Sequence, residues 1–115
     1  MAKVSPMQRT LKLLRGQGYV CGITEKFNSF IKIRQDLFGF IDLVALKPGE
    51  IIGVQCTTGA HHAEHKTKII PLARPWLEAG GKIWLITWSK NKVEKGKKKE
   101  TWVSRLEEIT IDLCA

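Results

Sequence analysis

No apolar run in this 115-residue chain approaches the roughly 18 residues of a membrane span, and the opening MAKVSPMQRT lacks the apolar centre of a secretory signal. Cytoplasmic residence without a membrane partner is the expectation. Cysteine is scarce as well. Cys21, Cys56 and Cys114 are odd in number, widely spaced and form no C-x-x-C pair, so they read as reduced thiols. Acidic residues are few: 11 Asp and Glu stand against 19 Lys and Arg, giving a net charge of +8. That excess favours phosphate backbones or anionic surfaces as partners. No internal repeat is present. Hydrophobic residues at 43 % and charged ones at 26 % fit a soluble globular protein, and the length fits one domain spanning 1–115.

SPMQRTLKLLRG carries Val4, Met7, Leu11 and Leu14 at helical spacing, with Arg9, Lys12 and Arg15 left for the outer face. Ser5 reads as the N-cap, Pro6 as the first helical residue, Gln8 as the capping-box partner and Gly16 as the stop. YVCGITEKF and FIKIR are β-rich and broken at Asn28-Ser29, giving one bent strand or two short ones. FGFIDLVAL and EIIGVQCT, joined by Lys47-Pro48-Gly49, predict a central antiparallel hairpin. From His61 to Ala79 the period is helical, with Pro71 and Pro75 kinking or splitting the helix before Gly80-Gly81. KIWLITWS reads as a buried strand and TWVSRLEEITIDL as a short strand and tail. The order is α, β, β, β, α, β around a small mixed sheet.

Two positions stand out chemically. Asp42 lies between Ile41 and Leu43, and burying an unpaired carboxylate costs several kcal/mol or forces its neutralisation. It needs a partner: a metal ion, a hydrogen-bonding neighbour such as helix 1, or water. Across the predicted hairpin the second strand ends in the polar group Gln55-Cys56-Thr57-Thr58, so Asp42 and Gln55 are expected on adjacent strands with side chains converging on one face.

This order, with an acid inside strand two and a polar triplet closing strand three, resembles the PD-(D/E)XK nuclease superfamily. The nearest layouts are the small Holliday junction resolvases and VRR-NUC domains. The resemblance runs from about residue 5 to 90, through LKLLRGQGY, FIDLVAL, GVQCT and AGGKIWLITW. It implies an α/β fold with a restriction-endonuclease-like αβββαβ core, and a Mg²⁺- or Mn²⁺-dependent DNA endonuclease acting on branched or structured DNA. A homodimer is implied by analogy, and a phage or mobile element suits so small a chain. The implied metal ligands are Asp42, Gln55 and the Cys56 carbonyl, with Asp36 or Glu25 adding charge if a kink at Gly39 brings Asp36 into range. Gln55 stands where the family has Glu, and Thr57 where it has the Lys that assists the attacking water. Gln8 lies at or near a further family Glu. Lys66 and Lys68, with Glu64 on the following helix, offer a relocated lysine.

His61 and His65 share a helix face with Glu64 and imitate a zinc site, but a third ligand at helical spacing is missing, so His61, His62 and His65 read as polar helix-start residues touching phosphate near the cleft. Cys56 reads as a small buried residue. From Lys90 to Glu100 six lysines face two glutamates, flanked by Trp84, Trp88 and Trp102. This run is either a solvated loop or a phosphate-contacting one, and Arg9, Lys12, Arg34, Lys90, Lys92, Lys97, Lys98 and Lys99 are the expected DNA contacts. A catalytically inactive nucleic-acid-binding module of the same fold, and a protein-interaction module that is merely basic, are the alternatives.

Overall fold

A computed structural model describes residues 4–90 and 101–114, without the side chains of Phe27, Asn28 and Arg34. Helix α1 (Pro6–Gly16) opens on the expected capping box: Ser5 Oγ accepts from the Gln8 amide at 3.2 Å, and the Gln8 side chain accepts from the Ser5 amide at 3.3 Å. The chain then forms β1 (Val20–Ile23), β2 (Lys26–Asn28) and β3 (Ile33–Gln35). The stretch expected to give one strand or two therefore gives three. β2 and β3 pair antiparallel as a separate hairpin, and only β1 joins the main sheet.

β4 (Leu43–Lys47) and β5 (Glu50–Thr58) make the central hairpin. Pro48 fixes φ at the first turn position and Gly49 takes the second at φ +78°. The strand begins later than the apolar run: Phe38 (φ +53°) and Gly39 (φ +81°) are left-handed, so residues 37–41 fold back on themselves, closed by a Leu37–Ile41 bridge. A 3₁₀ turn (Gly59–His61) leads into α2 (His62–Ile69), and after a second 3₁₀ turn α3 (Arg74–Glu78) completes a crossover split at its prolines. β6 (Lys82–Lys90) returns parallel to β5, and β7 (Trp102–Glu108) pairs antiparallel with β6. The result is a mixed five-stranded sheet in the order β1-β4-β5-β6-β7, with helices on both faces.

Strand alternation sends successive side chains into two separate cores. Leu11 and Leu14 of α1 pack with Leu43, Ala45, Ile52, Val54, Cys56, Ile86 and Trp88 on one face. Ile69 and Ala73, from the crossover, pack with Phe40, Ile41, Ile83, Leu85 and Ile109 on the other. Gln55 and Thr57 alternate with Val54 and Cys56, so they point to the α2 side. Among the described residues no helix is long and apolar enough to cross a membrane.

Candidate metal centre

The backbone delivers three carboxylates to one place on the α2 side. The Asp42 amide donates to the Val54 carbonyl at 2.9 Å, which continues the β4–β5 ladder by one residue. The Asp42 carbonyl accepts from the Thr24 and Glu25 amides at 2.9 and 3.0 Å, and Thr24 Oγ1 donates to the Ile41 carbonyl at 2.8 Å. These bonds tie Glu25 beside Asp42. The left-handed turn at Phe38 and Gly39, stapled by Gly39 N–H to the Asp36 carbonyl at 3.0 Å, brings Asp36 back to the same spot. One carboxylate oxygen from each of Glu25, Asp36 and Asp42 lies within 4.8 Å of the others.

Asp42 is 5 % exposed and Gln55 2 %. Asp42 Oδ2 accepts from Gln55 Nε2 at 2.7 Å and from the Cys56 amide at 2.9 Å. These two donors lie on β5, not on helix 1. Burial, a hydrogen bond with Asp36 and the charges of Asp36 and Glu25 outweigh the Cys56 amide and push the Asp42 carboxyl up to about 8. Gln55 Oε1 is buried without a hydrogen-bond partner. Three crowded carboxylates, with an unpartnered amide oxygen on the residue that holds Asp42, offer the kind of oxygen donors that hard divalent cations take. Glu25, Asp36 and Asp42 are the residues that could hold such an ion, with Gln55 as their neighbour.

The two lysines on α2 part company. Lys68 Nζ lies 3.2 Å from Asp36 Oδ2, at the edge of the carboxylate group. Lys66 Nζ instead pairs with Glu107 Oε2 on β7 at 2.6 Å. Thr57 is buried on the same face as Gln55, in register with Thr87 of β6. Burial and the neighbouring Lys68 hold His65 below its ordinary range, and its buried Nδ1 has no partner. His61 contacts Glu64 at 3.2 Å and sits edge-on to His65, and neither joins the carboxylate group. Gln8 is spent on the α1 cap, on the far side of the sheet. Burial drives the Cys56 thiol up to about 12, as an inert core residue.

Sequence spacing did not reveal the partners of His62. Its Nδ1 lies 2.5 Å from Thr87 Oγ1 and its Nε2 2.7 Å from Glu107 Oε1, joining α2 to β6 and β7. The Glu107 partner is 45 residues away, so no local pattern marks the pair. Of the expected DNA contacts, Arg9, Lys12 and Lys90 gather around Trp102 on the α1 side. Lys92, Lys97, Lys98 and Lys99 lie outside the described residues, as does the Arg34 side chain.

No family model matches the chain, no curated protein matches its sequence, and no solved structure matches its fold.

Proposed function

We propose that this chain is a metal-dependent DNA endonuclease on a restriction-endonuclease-like αβββαβ core. Support for the core comes from the order of elements: α1, an antiparallel β1-β4-β5 meander, a helical crossover, and β6 parallel to β5. The observation that supports the activity is the meeting of the Glu25, Asp36 and Asp42 carboxylates, with Gln55 bonded to Asp42 and its own Oε1 left without a partner. The excess of basic residues favours a phosphodiester substrate.

A bound divalent ion would supply a water acidified enough to attack phosphorus. The chain's own residues do the rest. The Cys56 amide and the Gln55 amide group fix the Asp42 carboxylate in one orientation, so that it faces Asp36. Both polar groups of a strand residue point to the same edge, so the Cys56 carbonyl also leaves β5 on the β4 side. Lys68, held by Asp36, would serve in the role that Thr57 cannot, its ammonium offsetting charge on a phosphate bound at the carboxylates.

The test is cleavage of four-way, flapped, single-stranded and linear DNA with Mg²⁺ and with Mn²⁺, using wild type and Asp42→Asn. Metal-dependent cleavage that disappears in Asp42→Asn is the expected result. Cleavage that persists in Asp42→Asn rules this site out, and a silent wild type leaves the inactive binding module as the better description.

A further inference from the structure

The α1 side of the sheet holds a second set of chemistry, separate from the carboxylates. No acidic residue precedes Glu25 in the sequence, so α1 presents Arg9, Lys12 and Arg15 without a compensating charge of its own. Trp88 Nε1 donates to Thr10 Oγ1 at 2.9 Å, and Thr10 Oγ1 donates to the Pro6 carbonyl at 2.8 Å, locking the first turns of α1 onto β6. Between α1 and β7 this leaves a cleft of about 460 Å³, lined by Arg9, Lys12, Leu13, Trp88, Thr101 and Trp102. None of these is acidic. The Arg9 guanidinium lies 4.4 Å from the centre of the Trp102 ring, and Lys90 Nζ 5.5 Å from it. Among the described residues no carboxylate pairs with Arg9 or Lys12.

We infer that this cleft binds an unpaired nucleic-acid strand, with a base against the Trp102–Arg9 stack and an adjoining phosphate on Lys12. Three features select that ligand. The volume suits a small planar group with its sugar, at the lower end of the range of ligand pockets. An indole and a guanidinium together give the flat, polarisable surface on which bases of any sequence stack. The cations supply the backbone attraction, which every strand offers. A base-free polyanion would use only the cations and leave the indole idle.

The inference does not rest on the carboxylate site, which lies on the opposite face. Binding is therefore measured in EDTA. A short oligothymidylate titrated into the protein should quench tryptophan fluorescence, and Trp102→Leu should weaken binding about tenfold or more. Because Trp102 packs partly against the core, the double variant Arg9→Gln/Lys12→Gln at the surface is a second probe. It should weaken binding and reduce the salt slope by about 0.7 for each phosphate that is no longer neutralised. A duplex of equal length and inorganic polyphosphate should both bind more weakly than the single strand. Wild-type affinity in both variants overturns the inference, as does polyphosphate or duplex binding as tight as that of the oligothymidylate. Metal-dependent stabilisation should survive in Trp102→Leu, so failure here and failure of the nuclease reading are read separately.

Discussion

The Gln55 amide nitrogen lies 2.7 Å from Asp42 Oδ2, while the oxygen of the same amide, also buried, has no partner. One head group thus holds the acid with one atom and keeps a lone-pair donor spare with the other. The carboxyl it holds carries a proton near neutrality, because burial and Asp36 oppose its charge. A bound cation would answer the same crowding as that proton, and the exchange can be measured.

The first consequence concerns pH. With Asp42 near 8 when folded and 3.8 as its ordinary value, the folded state holds a proton that the unfolded state releases, so stability falls as pH rises between those values. Metal-free wild type should lose on the order of a few kcal/mol relative to Asp42→Asn between pH 5 and pH 8. The lowered His65 acts in the opposite direction near its ordinary range of 6.5, but it is present in both proteins and cancels in the difference. Thermal melts of both proteins at each pH check this. A constant difference would mean that Asp42 does not hold a proton.

Metal should replace that proton. Adding Mn²⁺ at pH 7 should release protons and raise Tm, with about 2.7 kcal/mol of stabilisation at a hundredfold excess over Kd. Gln55→Glu should lower Tm in EDTA, since it sets a fourth carboxylate against Asp42 and removes a donor. It should also enlarge the Mn²⁺-induced rise. Calorimetric titration with wild type, Asp36→Asn and Gln55→Glu checks both statements.

The α2 lysines should separate in a cleavage assay. Lys68→Ala, at the Asp36 edge, is expected to slow cleavage by about 10²-fold or more if the ammonium assists the reacting phosphate. Lys66→Ala should slow it far less, because its ammonium is engaged by Glu107. Equal losses would place the effect in helix α2 as a whole.

Gly53→Ala tests how the site is braced. An added Cβ would stand 2.9 Å from Ile41 Cδ1 and 3.2 Å from the Trp76 ring. Overpacking of this kind costs about 1–3 kcal/mol, and here it presses on the residue next to Asp42. Urea denaturation should show the loss, with weaker Mn²⁺ binding alongside it.

Local chemistry in the sequence foretold the parts that are locally determined. The Ser5–Gln8 box, the Pro48-Gly49 turn, the crossover split at Pro71 and Pro75, and the meeting of Asp42 with Gln55 follow from short-range rules and strand alternation. Asp36 was legible only conditionally, since its approach needs Phe38, as well as Gly39, to adopt a left-handed backbone that few side chains favour. Glu25 was harder still: it arrives because residues 24–25 hydrogen-bond to Ile41 and Asp42, a tertiary event. The division of residues 20–35 into three strands, and the Thr87–His62–Glu107 chain, likewise depend on contacts distant in sequence.

The order in which β5 finds its neighbours has a consequence for folding. Its pairing with β4 closes a turn of two residues, whereas its pairing with β6 must wait for the whole α2–α3 crossover to compact. Short loops close with less entropy loss and sooner. Asp42 and Gln55, 13 residues apart, can therefore meet while Lys68 is still unplaced. During that interval the Asp42 carboxyl is fixed by β5 before Lys68 is in place at the carboxylates. Refolding should accordingly be faster in mildly acidic buffer, or with divalent cation present, than at pH 8 in EDTA.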